Sequence, residues 1–503
     1  MLNLLKEHEG FSEIASSPMG EWTLPWLPGS ALTLFAAALY ENSRSSVCVI
    51  VPTEAKAMTL ARDLEETGLP SEAVRFFPDR DLFRENPEIQ PERAEVFAGI
   101  ARGSKILVVG SLRSILHLTF PPGQVRSLFR RVRLGESIPM ESLLDLLVCQ
   151  GYRRVAQVEA RGEFAVRGGI LDLFCPQETV PFRLEWWGDQ IHSIRTFDPG
   201  SQRRHPTSGS LPEEIFLFPA AEPLFDPMAR ENLVSAIRKT GAREHMEALS
   251  QFQPRWEQGF SYFEREWYLR TLLGGEWSFA DSLPPDTLYL LLDPLQLERQ
   301  SAAIQEEMES LFGPHLKGGE LFPIGSSPYL SYRQLPERLK GPTISFSAGE
   351  DVGESLLGEC RPLPGFSRNL DAFLESVRLR LSEGRRIVIA SHQSSRIKEI
   401  LSENEIASFP LAHNEIPEKG RAHVISSRFQ EGFFWPALDL VLMTDKELFG
   451  FQETQTIRRK QPVAFVLRPG ELKEGDFVVH MHHGIGIFRG VKRLLISGVE
   501  KDY

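Results

Sequence analysis

RGEFAVRGGILDLFCPQETVPFRLEWWGDQIHSIRTFDP, residues Arg161 to Pro199, is the stretch around which the rest of the chain is organised. It reads as three strands in fewer than forty residues. Arg161-Gly162 and Gly168-Gly169 are turn or bulge signals that interrupt an extended run. Gly188-Asp189 reads as a hairpin loop, with the third strand beyond it. From Phe182 to Trp187 the chain alternates: Phe182, Leu184 and Trp186 face one way, and Arg183, Glu185 and Trp187 the other. The first set suits a core. The second puts two charges and an indole on one exposed ribbon, the composition of a protein-binding hot spot. The plainer reading is a solvated sheet surface that happens to carry one large aromatic.

The chain around it has 503 residues, enough for several domains. Hydrophobic content of 42% and charged content of 25% are ordinary for globular protein. A net charge of -12 argues against a generally basic nucleic-acid-binding surface but leaves protein partners open. Cys48, Cys149, Cys175 and Cys360 follow no metal spacing and read as reduced thiols of a cytoplasmic protein. No apolar run has the length a membrane span needs, and MLNLLKEHEG is too short and acidic for a secretory signal.

Upstream, Val47–Val51 is a continuous apolar run, as in a buried parallel strand. A helix follows from Pro52-Thr53, with Ala57, Leu60, Ala61 and Leu64 on one face and Gly68 as its stop. Ile106–Val109 is a second such strand, ending at a turn at Gly110-Ser111. Strand, helix and strand in this order imply a parallel sheet. A nucleotide site of this type needs G-x-x-x-x-G-K-[ST]. The equivalent place, Leu27-Pro28-Gly29-Ser30-Ala31-Leu32-Thr33, has one glycine and no lysine. The β and γ phosphates therefore lose their point-charge partner, and no ATP hydrolysis is expected. Asp79, Asp81 and Glu85 read as a solvated loop rather than a carboxylate site.

Downstream, SQRRHPTSGSLPEE at 201–214 reads as a boundary loop, with Arg203-Arg204 solvated. Helices are expected near 228–250 and 296–311, around the apolar run Thr287–Pro294, which reads as a buried strand ending at a turn. Trp256, Phe260, Tyr262, Phe263, Trp267 and Tyr268 read as core or inter-domain packing in preference to a base-stacking platform. Strands at Arg386–Ala390, His423–Ser426 and Leu438–Met443 alternate with short helices, again as a parallel sheet. Ser391-His392-Gln393-Ser394-Ser395 reads as a helix cap rather than a catalytic group. Arg458-Arg459-Lys460 lies in a basic linker. Strands follow at Asp476–His480, Ile487-Phe488 and Leu494–Ile496, with a tight turn at His483–Gly486. His480, His482 and His483 are too crowded, and too far from other ligand types, for a metal site.

The quoted stretch also carries a resemblance. RGEFAVRGGILDLF, then RLEWWGDQIHSIRTFDPGSQRR, resembles almost continuously the second domain of bacterial transcription-repair coupling factors, shared with the excision-repair helicase UvrB. In that family the domain docks the damage-recognition protein UvrA, and the residues used fall here on Arg167, Arg183 and Trp187. FFPDRDLFRENPEIQPERAEVFAGI resembles the family's first domain, a helicase ATPase lobe whose phosphate loop has degenerated. LDLVLMTDKELFG resembles its third domain, for which no catalytic role is implied. GDFVVHMHHGIGIFRGVKRL is similar to the start of its RNA-polymerase-interacting domain, a Tudor-like barrel shared with CarD regulators. That barrel binds the polymerase β subunit by pairing an edge strand, and its contact leucine falls on Leu494.

The resemblance implies a multidomain α/β fold. A degenerate helicase-like domain occupies 1–140 and is completed at 216–335, after an inserted antiparallel β-rich domain at 141–215. A further α/β domain at 336–450, a linker at 451–470 and the start of the barrel at 471–503 follow. The implied partners are UvrA and the RNA polymerase β subunit. ATP, Mg and DNA belong to the full-length family, whose translocase and C-terminal inhibitory domains have no counterpart here. UvrA docking is accordingly expected to be constitutive, the barrel is expected not to close, and no cofactor is expected in this chain. The rivals are a UvrB-like helicase subunit, against which the degenerate loop and the module at 475–490 count, and a CarD-like regulator, which needs a closed barrel.

Overall fold

The computed structural model describes residues 1–16, 21–80, 89–203, 212–222, 224, 227–239, 262–319, 321, 324–347, 356–366, 369–412 and 415–450. Beyond these it describes the strands 477–480, 484–487, 493–496 and 499–502. The chain forms two compact units, Met1–Gln452 and Glu453–Tyr503.

The first unit is built on a six-stranded, wholly parallel sheet. Its order is Glu21–Pro25, Thr343–Ser347, Leu288–Leu292, Val47–Val51, Leu107–Ser111, Val74–Phe77. The apolar runs are continuous because both faces of the sheet are covered. Val47, Val49 and Val51 enter one core cluster, while Cys48 and Ile50 enter another. Leu288, Leu290 and Leu292 alternate with Tyr289 and Leu291 in the same way. Burial pushes the Cys48 thiol up to about 12, as suits an inert core cysteine. The helix Glu54–Glu65 buries Ala57, Leu60, Ala61 and Leu64, and the Thr53 side chain caps its start. Gly68 follows it with φ +85°.

Three expectations for this lobe are corrected. The strand at 107 continues through Gly110 to Ser111, whose hydroxyl then accepts from Ser114 N–H and starts the helix Leu112–Leu116. The sheet also continues past residue 335: Thr343–Ser347 lies between Glu21–Pro25 and Leu288–Leu292. Asp79 is half-buried and accepts from the Ser111 hydroxyl, so it is a structural carboxylate rather than a solvated one. Asp81 and Glu85 lie outside the described residues.

Between the strands Leu107–Ser111 and Leu288–Leu292 the chain makes a second, five-stranded sheet. Its order is Gln190–Thr196, Phe182–Trp187, Ile170–Leu173, Glu163–Arg167, Arg153–Arg154. Only the last pairing is parallel. Four of these strands fall within 161–199, where three were expected. Gly168-Gly169 does not kink one long strand. It closes a hairpin, with Gly168 at φ +59° and Arg167 opposite Ile170. The Gly188-Asp189 hairpin is present, with Gln190 opposite Trp187. A short pair, Arg130–Arg133 with Glu214–Leu217, stands beside this sheet. One apolar cluster running from Val132 to Ala220 underlies both.

The second α/β lobe has the sheet order Arg361–Pro362, Phe433–Trp435, Leu440–Thr444, Arg386–Ala390, Ala422–Ile425, Ser408–Phe409. It is mixed rather than purely parallel, because Phe433–Trp435 runs antiparallel to both neighbours. Residues 436–439 are too short a connection for a parallel crossover. Ser391 is buried and its hydroxyl accepts from Gln393 N–H, and His392 Nδ1 lies 2.5 Å from Asp445 Oδ2. The helix begins at Ser394, with no side-chain cap. Trp267 and Tyr268 are core residues, with Trp267 tilted 4.9 Å from Phe312. Trp256 and Phe260, and the side chains of Tyr262 and Phe263, lie outside the described residues.

In the second unit Phe477–His480 pairs with Gly484–Ile487, and Arg493–Ile496 with Val499–Asp502. Gly484 to Gly486 are thus strand rather than turn. The linker at 451–470, with His482 and His483, lies outside the described residues. Among the described residues no group of three or more His, Cys, Asp or Glu is placed to hold a metal ion. No described helix is long and apolar enough to cross a membrane.

Candidate protein-docking face

The face begins with the alternation of Phe182–Trp187. Phe182 and Leu184 enter the core, and Trp186 is half-buried with its indole N–H donating to Ile138 O at 2.9 Å. The opposite parity, Arg183, Glu185 and Trp187, points outward. Cross-strand register extends that face into two rows. One row runs Arg167, Ile170, Glu185, Ser193. The other runs Ala165, Asp172, Arg183, Arg195. Both arginines and the tryptophan expected from the sequence therefore lie on one face. Arg183 and Trp187 are four residues apart on one strand, roughly 13 Å at about 3.3 Å per residue.

The face is uneven. At one end Ala165 packs with Val158, Phe174 and Phe197 in a small apolar cluster. Arg183 sits at the edge of that cover, its guanidinium 4.7 Å from the Phe197 ring. Its Nε and Nη2 donate to the two oxygens of Asp172 at 2.6 and 2.8 Å. Asp172 is 2% exposed. This fork, reinforced by hydrogen bonding to Asp172, raises the Arg183 pKa above its ordinary value. The fork of Arg183 is thus already filled by a carboxylate within the sheet. Glu185 is likewise held by Arg195 at 2.5 Å.

Arg167 and Trp187 differ from these. Arg167 is exposed and donates one hydrogen bond, to Ala156 O at 3.1 Å, and forms no ion pair among the described residues. Trp187 is 81% exposed, more than any other described large apolar side chain. Its ring lies 6.4 Å from that of His192, an exposed residue at a register shift in the neighbouring strand. The open end of the face thus offers an indole and a cation, with Ile170 half-buried between strands. Asp172, Ile170, His192 and Arg195 were not singled out from the sequence. The signal for Asp172 was present: a lone carboxylate in the run Ile170–Leu173.

The strand Glu21–Pro25 ends in a loop that opens the buried helix Ser30–Asn42. This is the strand–loop–helix setting of a phosphate cradle, with Gly29 at φ +52°. Leu494 lies in the strand Arg493–Ile496, opposite Lys501.

Comparison with known families agrees with this geometry. The family model for the UvrB interaction domain matches residues 131–222, and that for the CarD-like/TRCF RID domain matches residues 472–503. The likeness is to the N-terminal half of transcription-repair coupling factors. The factor of Bacillus subtilis is 25% identical over 529 residues, covering 99% of this chain and 44% of that protein. That of Staphylococcus aureus (strain USA300) is 24% identical over 534 residues, covering 100% and 45%. That of Myxococcus xanthus is 29% identical over 537 residues, covering 95% and 43%. The chain thus spans less than half the length of these transcription-repair coupling factors.

Proposed function

We propose that this chain recruits UvrA in transcription-coupled excision repair, through the outer face that carries Arg167, Arg183 and Trp187. The observation that carries the reading is the 81% exposure of Trp187 on a hydrogen-bonded sheet. A large indole held on a rigid element loses little entropy on docking. Arg167 adds a cation free to take a partner carboxylate in a fork. Arg183 is already engaged within the chain: Nε and Nη2 hold Asp172, and Nη1 donates to Gln202 O at 3.4 Å.

Purified UvrA should bind the full chain without ATP or DNA, because the face is formed by sheet pairing alone. Arg167→Ala should weaken that binding about tenfold, or about 1.4 kcal/mol, measured by titration calorimetry. Binding unchanged in Arg167→Ala sinks the assignment of that residue. Arg183→Ala is a poorer probe, since it leaves the buried Asp172 carboxylate unpaired and so perturbs folding as well as docking. Arg183→Ala paired with Asp172→Ala removes both members and separates the two effects.

The module at 472–503 is proposed to contact the RNA polymerase β subunit by strand pairing, with Leu494 at the contact. Leu494→Arg should abolish capture of the isolated β subunit by this chain while leaving UvrA binding intact. Retained capture rejects the contact. ATP hydrolysis forms no part of the proposed activity, given a loop with no lysine to meet the β and γ phosphates.

A further inference from the structure

The degenerate phosphate cradle is filled from within the chain. In a nucleotide site the amides at the start of the helix donate to phosphate oxygens, and glycine leaves room for the phosphates to approach. Here the Ser30 N–H donates to the carbonyl of Glu431 at 3.2 Å. The space above Gly29 is taken as well: a Cβ built there falls 2.6 Å from Glu431 Cβ. Asp63, 3% exposed, organises the rest. Its Oδ2 accepts from the Ser30 hydroxyl at 2.7 Å and its Oδ1 from Gln430 N–H at 3.1 Å. One helical turn on, Glu66 accepts from Arg428 N–H at 3.2 Å.

The same segment is anchored equally firmly to its own lobe. Glu447, 4% exposed, accepts from Gly432 N–H at 3.0 Å and from the Thr444 hydroxyl at 2.7 Å. Gly432 is packed so closely that a Cβ there falls 2.4 Å from Leu442 O. Phe429 is buried in an apolar cluster that runs without a break from Val49 of the first sheet to Leu442 of the second.

We infer that the segment Arg428–Gly432 is a resident replacement for the nucleotide, clamping the two α/β lobes together through the cradle of Gly29, Ser30 and Asp63. A nucleotide enters, is hydrolysed and leaves, so lobes that close on it also reopen. A peptide carbonyl held by covalent connection has no such exit. The fold of a two-lobed motor becomes a fixed platform, and the inserted docking sheet stands on a base that does not cycle. This inference is independent of the UvrA reading, and neither fails with the other.

Hydrogen exchange on the full chain tests it. Gly29→Ala places a Cβ against Glu431 at a φ that favours glycine. It should speed amide exchange of residues 428–432 and 29–32 at least tenfold, leaving Val47–Val51 and Arg386–Ala390 unchanged. Asp63→Asn keeps the volume but has only one accepting oxygen for two donors, and should speed the same amides by a smaller factor. If Gly29→Ala does not fold, Asp63→Asn decides. Wild-type rates in the decisive variant overturn the clamp. So does protection of residues 29–32 in the wild type on adding ATP and Mg.

Discussion

Arg93→Ala is expected to destabilise the chain by about 3–5 kcal/mol, the cost of leaving a buried charge without its partner. Arg93 is fully buried, and Glu222, at 2% exposure, is its partner. Nε and Nη2 of Arg93 donate to the two carboxylate oxygens at 2.8 and 2.6 Å, and Nη1 donates to Pro78 O at 2.9 Å. Thr119 adds a hydroxyl donor to Glu222 at 2.5 Å. Glu222 is the last residue of the matched UvrB interaction domain. The pair therefore ties the chain leaving the docking module to the helix Pro91–Arg102 of the first lobe. A double variant, Arg93→Met with Glu222→Gln, removes both charges at similar volume and is expected to recover most of the loss. Unfolding in urea, followed near the first lobe, compares the two. Equal loss in the single and double variants rejects the pair as the source.

The same pair sets an acid limit. Burial alone would raise the Glu222 pKa. Arg93, Arg80 and the Thr119 hydroxyl outweigh it and hold the carboxyl down at about 2, against an ordinary 4.5. The folded state thus binds this proton less readily than the unfolded chain does. The contribution is complete above about pH 4.5 and is lost as pH falls toward 2. The double variant should lose that part of the acid sensitivity.

The buried parallel strands were legible because both faces of the sheet need apolar side chains, so Val47–Val51 and Leu288–Leu292 could be little else. Thr343–Ser347 was not. Its alternation of hydroxyl and apolar residues looks like a half-exposed strand, yet it is enclosed by partners starting at Glu21 and Leu288. That placement depends on contacts more than three hundred residues apart in one case, which no local pattern carries. Arg93 and Glu222, 129 residues apart, are also beyond the reach of a local pattern. Arg183 and Asp172 are different, only eleven residues apart. Reading three strands where the chain makes four concealed the register that sets them face to face. The outward parity of Arg183, Glu185 and Trp187 survived that miscount, because it depends only on position along one strand.

Trp187→Ala should weaken UvrA binding by about 2 kcal/mol, roughly thirtyfold in Kd, with no loss of stability. Among the described residues, the nearest ring to the indole is His192 at 6.4 Å, so removing it opens no cavity. Burying roughly 200 Å2 of an indole at about 25 cal/mol per Å2 sets a ceiling near 5 kcal/mol. Desolvation of the neighbouring Glu185–Arg195 pair and the cost of association reduce what is realised. Arg167 stands at the same open end, so under the proposed docking the two substitutions share partner groups and need not add. Trp187→Phe should keep most of the affinity, since packing rather than the indole N–H is the proposed source. Leu379, on the second α/β lobe and 58% exposed, is the matched control for generic stickiness. Leu379→Ala should bind UvrA as the wild type does. Equal losses at Leu379 and Trp187 reject a specific docking face, and no loss at Trp187 rejects the anchor.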